Sequence, residues 1–437
     1  MKRQFKLQIG TKYETLEIPF ENIMEGKIKC EPQYIEDLNT EVKNSLANMV
    51  GNVDTNKLNS GCKVVIVSDD YTRPTPTKKI LPGLLNFLTN KGIKKENINI
   101  LIGAGFHREM TKQEKVEKFG EEICDNYKIY HHDALEEHNL CYLGETKMKI
   151  PVYINKIAVE ADFLIGIGVI EIHPWAGFAG GPKIICPGLA GKKTINYTHS
   201  MPVTHKNVEI GVTLGNPFWE SIREAAKMAG LDMVVNVVLD RKERVCAVFS
   251  GEAEAAQKRC IEIFKSFNEI VFDEPADIVI TTSNPKYQYW GQAAIAGYNA
   301  DSVIKEGGTR IIVAACPEGF GDSQQEVIFY FDSLRDKWDD LDRYWEEKQG
   351  IMCDNSRNTC AVHRHLKALK KSDMIMVTRG LPRSTPNMKS QKVVGTLDEA
   401  IKIVLNKYGK KAKVIVYDMG AMALPTVSGC TRIVPTQ

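Results

Sequence analysis

The chain has 437 residues, 43% hydrophobic and 26% charged, with 57 Lys and Arg against 55 Asp and Glu for a formal net charge of +2. That length exceeds one small core and predicts two domains. The near-balance of charge, without a large basic block, points away from nucleic acid and membrane surfaces and toward a small-molecule partner. Eleven cysteines with no C-x-x-C pair argue against a disulfide framework or a structural zinc site, and fit a reduced, cytoplasmic enzyme. No apolar run approaches the ~20 residues that span a bilayer. The N-terminal MKRQFKLQIGTKYETLEI alternates Phe5, Leu7 and Ile9 like a half-exposed strand, without the apolar stretch of a secretory leader.

From Cys62 to Ser68 the sequence CKVVIVS reads as a buried strand that ends in Asp69-Asp70-Tyr71-Thr72-Arg73-Pro74. A helix is expected around 77–90, weakened by Pro82. A second strand, Ile98 to Ile102, ends in Gly103, Gly105 and His107. Helical spacing covers 112–124, and His131 and His132 lie in a short β-like run. Phe163 to Ile170 is a continuous apolar run, the pattern of a strand buried on both faces. It delivers His173 into a loop carrying Gly177, Gly180, Gly181, Gly188 and Gly191 around Lys183, and the segment closes at His199. Such glycines let backbone amides turn inward toward a ligand. Polar strand ends in an open, largely parallel sheet line one crevice.

Asn216-Pro217 starts a helix running to about Gly230, followed by a strand from Met233 and a helix from Glu252 to Phe264. The stretch DEPADIVITTSN at 273–284 reads as a linker and a new strand, Asp277 to Thr282. Beyond it come the strand Arg310 to Ala315, a charged helix over 333–348, the strand Met374 to Thr378, a helix over 396–408 opened by a Thr396/Glu399 capping box, and the strand Lys413 to Tyr417. The expectation is an α/β protein of two domains, each a mainly parallel sheet flanked by helices, with the active site in the cleft between them. The first domain is placed at 1–272, rejoined by 420–437, and the second at 273–419.

His107, His173 and His199 all lie beside glycine-rich turns at strand ends. Each alone could simply bond its own loop; together they suggest proton transfer or metal binding, the two jobs that imidazole suits. Their spacing matches no compact metal motif. Lys183 leaves a turn flanked by apolar chain, and GGPKI lacks the GK[ST] ending of a Walker A loop. Arg73 is either a structural partner of Asp70 or a fork for a substrate carboxylate. Cys186 reads as a small buried apolar residue, and His131, His132, His205, His363 and His365 as structural or surface residues.

The motifs DDYTRP, GAGFHREMT, EIHPWAGFAGGPK and the later Thr198-His199, with GNPFWESIREAAKMAGLD, NVVLD and GAMALP, resemble the nickel-dependent lactate racemase family along nearly the whole chain. The resemblance implies a nickel-pincer nucleotide bound covalently at Lys183, with His199 as the protein ligand on nickel. It implies His107 and His173 as acid/base groups on the two faces of a 2-hydroxy acid, Arg73 on its carboxylate, and Asp70 beside the cofactor, whose phosphate the loop at Gly180 and Gly181 would hold. Racemisation would then proceed through hydride transfer and a planar 2-keto acid, and separate biosynthetic enzymes would have to supply the cofactor. One departure bears on the substrate. Lactate racemases place a Gln and, three residues on, a Lys in the second domain, whereas NPKYQYWGQAAIAGYN keeps Gln292 and puts Ile295 at the lysine's place. That change favours a 2-hydroxy acid other than lactate, longer or polyhydroxylated, with Tyr287, Tyr289 and Trp290 nearby. The rival readings are a metal-dependent hydrolase or lyase using the histidines, and a non-catalytic nucleotide-binding protein.

Overall fold

The computed structural model describes residues 3–205, 207–321, 356–382 and 390–429. The chain opens with an antiparallel hairpin, β1 (Arg3–Ile9) and β2 (Lys12–Ile18), then a short β3 (Asn22–Met24) and helix α1 (Leu38–Ala47). Next come β4 (Val64–Asp69), α2 (Thr77–Asn90), β5 (Ile98–Gly103), α3 (Lys112–Phe119), α4 (Glu121–Asn126) and β6 (Lys128–His131). A second hairpin, β7 (Leu140–Glu145) and β8 (Pro151–Asn155), and the one-turn α5 (Lys156–Val159) lead into β9 (Phe163–Ile170). A two-residue ribbon follows, β10 (Ile172–His173) and β11 (Gly177–Phe178), then a 3-10 turn at Gly181–Ile184. Helices α6 (Lys192–Thr204) and α7 (Pro217–Met228), strands β12 (Leu231–Leu239) and β13 (Val245–Gly251), and α8 (Ala253–Asn268) complete this half.

The remaining elements are β14 (Glu269–Phe272), β15 (Ala276–Thr282), α9 (Trp290–Ala293), α10 (Ile295–Asn299), β16 (Ile304–Val313), α11 (Ser356–Lys371), β17 (Asp373–Val377), β18 (Gln391–Val394), α12 (Leu397–Tyr408), β19 (Lys413–Tyr417) and β20 (Leu424–Val427). The helix expected over 333–348 lies outside the described residues.

The chain divides into two compact units: Pro32–Met201 with Val212–Lys265, and Met1–Glu31 with Pro202–Gly211 and Ser266–Gln437. In the first unit a six-stranded sheet runs β13-β12-β9-β4-β5-β6, parallel throughout except for the β12/β13 pair. Every residue of β4 and β9 is buried, which is why these strands read as unbroken apolar runs rather than alternating ones. Because β9, β4 and β5 are neighbours, their C-terminal ends deliver three loops side by side. Helix α2 runs unbroken through Pro82. An internal proline costs ~3 kcal/mol, but Ile80, Leu81, Leu84 and Leu88 are all fully buried, at roughly 1.5–3 kcal/mol each, so packing wins. The helix expected over 112–124 is split at Gly120, whose φ of 92° ends α3 and begins α4.

In the second unit six strands run β18-β17-β16-β15-β19-β3, with all neighbours parallel, and β14 pairs with β20 in a separate two-stranded ribbon. Its core joins Ile278, Ile280, Ile311, Val313, Ile375 and Val414 to Ile18 and Phe20 from the start of the chain. The grouping therefore differs from a boundary near 272. Residues 1–31 belong to the second unit because β3 completes its sheet on β19. The described part of 420–437 stays there too, with β20 paired to β14 rather than returning to the first unit. An alternating strand pattern states that one face is covered, not which sheet covers it.

Candidate active site

The loop after β4 is fastened before it presents any group. Asp69, at the strand's end, meets Lys118 of α3 at 2.6 Å and accepts from Thr75, and the same ammonium donates to the Arg73 carbonyl at 2.9 Å. Burial pushes the Asp69 carboxyl up, against the pull of Lys118. Asp70 is also buried; one oxygen accepts from the Thr72 amide (3.0 Å) and hydroxyl (2.6 Å), and the other lies 2.6 Å from His107 Nδ1. Burial alone would raise this carboxyl. The charges and hydrogen bonds of His107, Arg73 and Thr72 outweigh it and hold Asp70 well below the usual carboxylate range. An ionised carboxylate only accepts, so His107 Nδ1 carries a proton in either charge state, and in the neutral ring the lone pair is on Nε2.

Arg73 donates to the Thr72 carbonyl (3.2 Å) and hydroxyl (3.0 Å), and its Nε lies 3.8 Å from Glu171. Asp70 is thus tied to His107, and the acid facing Arg73 in an ion pair is Glu171, a fully buried carboxylate between β9 and β10. Sequence reasoning missed Glu171. The signal was there in a charge interrupting the apolar run two residues before His173.

His173, in β10, has the opposite polarity to His107. The amides of Trp175 (3.3 Å) and Ala176 (3.0 Å) both donate to its Nδ1, so that nitrogen holds a lone pair and Nε2 carries the proton. His199 sits on α6, where Nδ1 donates to the Ile195 carbonyl one turn back (2.9 Å) beside Thr198 (3.1 Å). That bond fixes the tautomer with Nε2 unprotonated, the form that ligates a transition metal. His173 and His199 share the same aromatic neighbours. Trp175 stands 5.7 Å from the first and 5.0 Å from the second, and Phe218 stands 6.2 Å and 5.5 Å away.

Lys183 lies half-buried in the 3-10 turn, its amide donating to the Gly180 carbonyl at 3.2 Å. Gly180 and Gly181 have φ of 75° and 52°, the left-handed region that favours glycine, and a Cβ on Gly180 would stand 2.4 Å from Ile170 Cδ1. Gln257 of α8 donates to the Ala179 and Gly180 carbonyls and fixes the turn from outside. Cys186 is fully buried and its thiol is pushed up to about 12, in keeping with an inert apolar role. His132 is buried, donates to the Ala190 carbonyl and accepts from Asn155; burial lowers it to about 4, so it is structural. His365 is likewise buried, between Tyr298 and Gln391.

Gln292 and Ile295 lie in the second unit, on α9 and at the start of α10. Gln292 donates to the Tyr289 hydroxyl at 3.1 Å, while its buried Oε1 has no donor among the described residues. Ile295 is half-buried. Contacts join Asp70 to His107, Arg73 to Glu171, and His173 to His199 through Trp175 and Phe218; Lys183 belongs to the same unit, and Gln292 and Ile295 belong to the other.

A family model described as the lactate racemase N-terminal domain matches residues 9–211, and one described as its C-terminal domain matches 271–424. The chain belongs to the lactate racemase family. Curated lactate racemases from Thermoanaerobacterium thermosaccharolyticum and Lactiplantibacillus plantarum are 38% and 36% identical over 284 residues. Each match covers 64% of this chain and spans 66% of the relative's length. The structure of the lactate racemase apoprotein from T. thermosaccharolyticum superposes with a TM-score of 0.85 at 29% identity, covering 97% of this chain and all of that one. A Thermotoga maritima protein shares the fold, with a TM-score of 0.65 at 19% identity over 92% of this chain.

The lactate racemase family's nickel group can be tested against these residues. His199 offers one oriented Nε2, and among the described residues no three His, Cys, Asp or Glu side chains converge on a metal site. One protein ligand suits a nickel held otherwise by an organic group.

Proposed function

We propose that this protein is a racemase or epimerase inverting C2 of a 2-hydroxy acid in the cytoplasm, with a nickel-pincer nucleotide tethered at Lys183 and supplied by separate biosynthetic enzymes. Lys183 and His199 would hold the group, with the turn at Gly180 and Gly181 around its phosphate. When bound, it supplies an acceptor for hydride, which no side chain provides.

The observation that carries this reading is the opposite polarity of two imidazoles delivered by loops of one sheet. His107, backed by Asp70, presents a lone pair able to take the hydroxyl proton, and the carboxylate stabilises the imidazolium that results. His173 presents an N–H on Nε2, fixed by two backbone amides, to an oxygen on the other side of the substrate. Arg73, steadied by Thr72 and Glu171, offers its guanidinium to the substrate carboxylate. Ile295 puts apolar surface where the family has a cation, with Gln292 kept, and that change favours a substrate other than lactate.

The test is protein made in a host able to build the cofactor, followed by intact mass, nickel content and chiral analysis of a panel of 2-hydroxy and aldonic acids. An adduct mapping to Lys183, about one nickel per chain and inversion of one panel member are expected. Loaded protein that inverts none of them overturns the proposal.

A further inference from the structure

Trp175 was not among the residues singled out from the sequence, yet it stands edge-on to both His173 and His199, with interplanar angles of 77° and 78°. Its backbone is fixed on both sides: the amide donates to His173 Nδ1 at 3.3 Å and the carbonyl accepts from Asn216 at 2.7 Å. The indole is therefore set by the same turn that sets His173. Its Nε1 is buried and has no hydrogen-bond partner among the described residues. Buried indole N–H groups ordinarily find an acceptor, because leaving one unmet forfeits the hydration it had in the unfolded chain. Its aromatic neighbours do not meet that need. Phe218, at 6.3 Å, has no lone pair, and His199, its ring centroid 5.0 Å away and perpendicular, makes no hydrogen bond to the indole.

We infer that Trp175 is a binding residue of this site, its indole N–H donating to an oxygen or sulfur acceptor on a molecule bound between His173 and His199. The inference rests on the proposed function for what that molecule is. The acceptor belongs either to the substrate, as a carboxylate or hydroxyl oxygen, or to the tethered nucleotide, as a thiocarbonyl sulfur or carboxyl oxygen. Both are the same chemistry toward the indole: a lone pair accepting one hydrogen bond from a buried N–H.

The experiment is 15N–1H spectroscopy of protein labelled at tryptophan, which has five indole signals. The Trp175 signal is assigned by its loss in Trp175→Phe, or in Trp175→Tyr should the first variant fail to fold. Spectra of apoprotein, cofactor-loaded protein and loaded protein with oxalate are compared. A downfield move on loading, with less nickel retained by Trp175→Phe through dialysis, assigns the acceptor to the cofactor. A move only on adding oxalate, with full loading and KM for the racemised acid raised about tenfold in Trp175→Phe, assigns it to the substrate. An unmoved signal in both states, with normal loading and KM in the variant, overturns the inference. Loaded wild-type protein that racemises nothing removes the proposed function instead, whatever the indole signal does.

Discussion

Asp70 is a buried carboxylate to which the proposed function gives a part in the chemistry as well as in folding. It costs desolvation to bury, and only its imidazole, guanidinium and hydroxyl neighbours make the ionised form the stable one. Replacing it by Asn keeps the shape and removes the charge behind His107. Activity should fall by roughly 10²–10⁴ in kcat, the scale of losing the orienting carboxylate of an acid/base histidine. Stability should change in a pH-dependent way whose sign follows from linkage. The folded-state pKa lies below the unfolded value, so the ionised carboxylate stabilises the fold above the ordinary carboxyl range, and that contribution is lost as pH falls through the folded pKa. Melting curves of wild type and Asp70→Asn should therefore differ most near neutrality and converge in strong acid. A gap that widened on acidification would mean that the native carboxyl is protonated.

At the scale of elements, the ribbon β10–β11 holds His173 against the sheet, and it does so through a glycine. Gly177 has a φ of 73°, and a Cβ there would lie 2.0 Å from the Val212 carbonyl oxygen, so the chain passes backbone to backbone. Gly92 has a φ of 82° and open space around it. Alanine at Gly92 should cost ~1–2 kcal/mol, the left-handed strain alone. Alanine at Gly177 should cost more than that and lower activity as well, since the ribbon must shift and His173 with it. Denaturant melts of the two variants separate strain from clash; equal losses would show that Val212 yields freely. The same contrast explains what could be read in advance. β4 and β9 were legible because strands buried on both faces are apolar in long runs, β5 and β19 because short β-branched stretches lie between polar turns, and α12 because Thr396 caps it, accepting from the Glu399 amide at 3.3 Å. The hairpin β7–β8 and the strands β13, β18 and β20 were not read, being short, partly exposed or dependent on a distant partner for their pairing. The candidate histidines stand beside glycines in the sequence, whereas Glu171 and Trp175 take on meaning only once β9, β4 and β5 stand next to one another.

For the whole molecule, the division of labour between the two units is the larger consequence. Asp70, Arg73, His107, His173, Lys183 and His199 all come from the unit with the β13-β12-β9-β4-β5-β6 sheet, while the other unit has its own parallel sheet and its own apolar core. A ligand that binds the native state stabilises the part of the structure that makes its site, and amides there open less often. Loading the cofactor should therefore slow hydrogen exchange in the loop from Asp70 to Pro74, in the ribbon and turn from Ile172 to Ile184, and in α6 around His199. Exchange in β15, β16 and β19 should be unchanged by loading alone. Equal slowing of both sheets would mean that cofactor contacts are spread over both units and that the proposed tether at Lys183 is only one part of them. Slowing confined to β15, β16 and β19 would place the cofactor away from Lys183 and would overturn the site assignment, even with nickel bound and activity present.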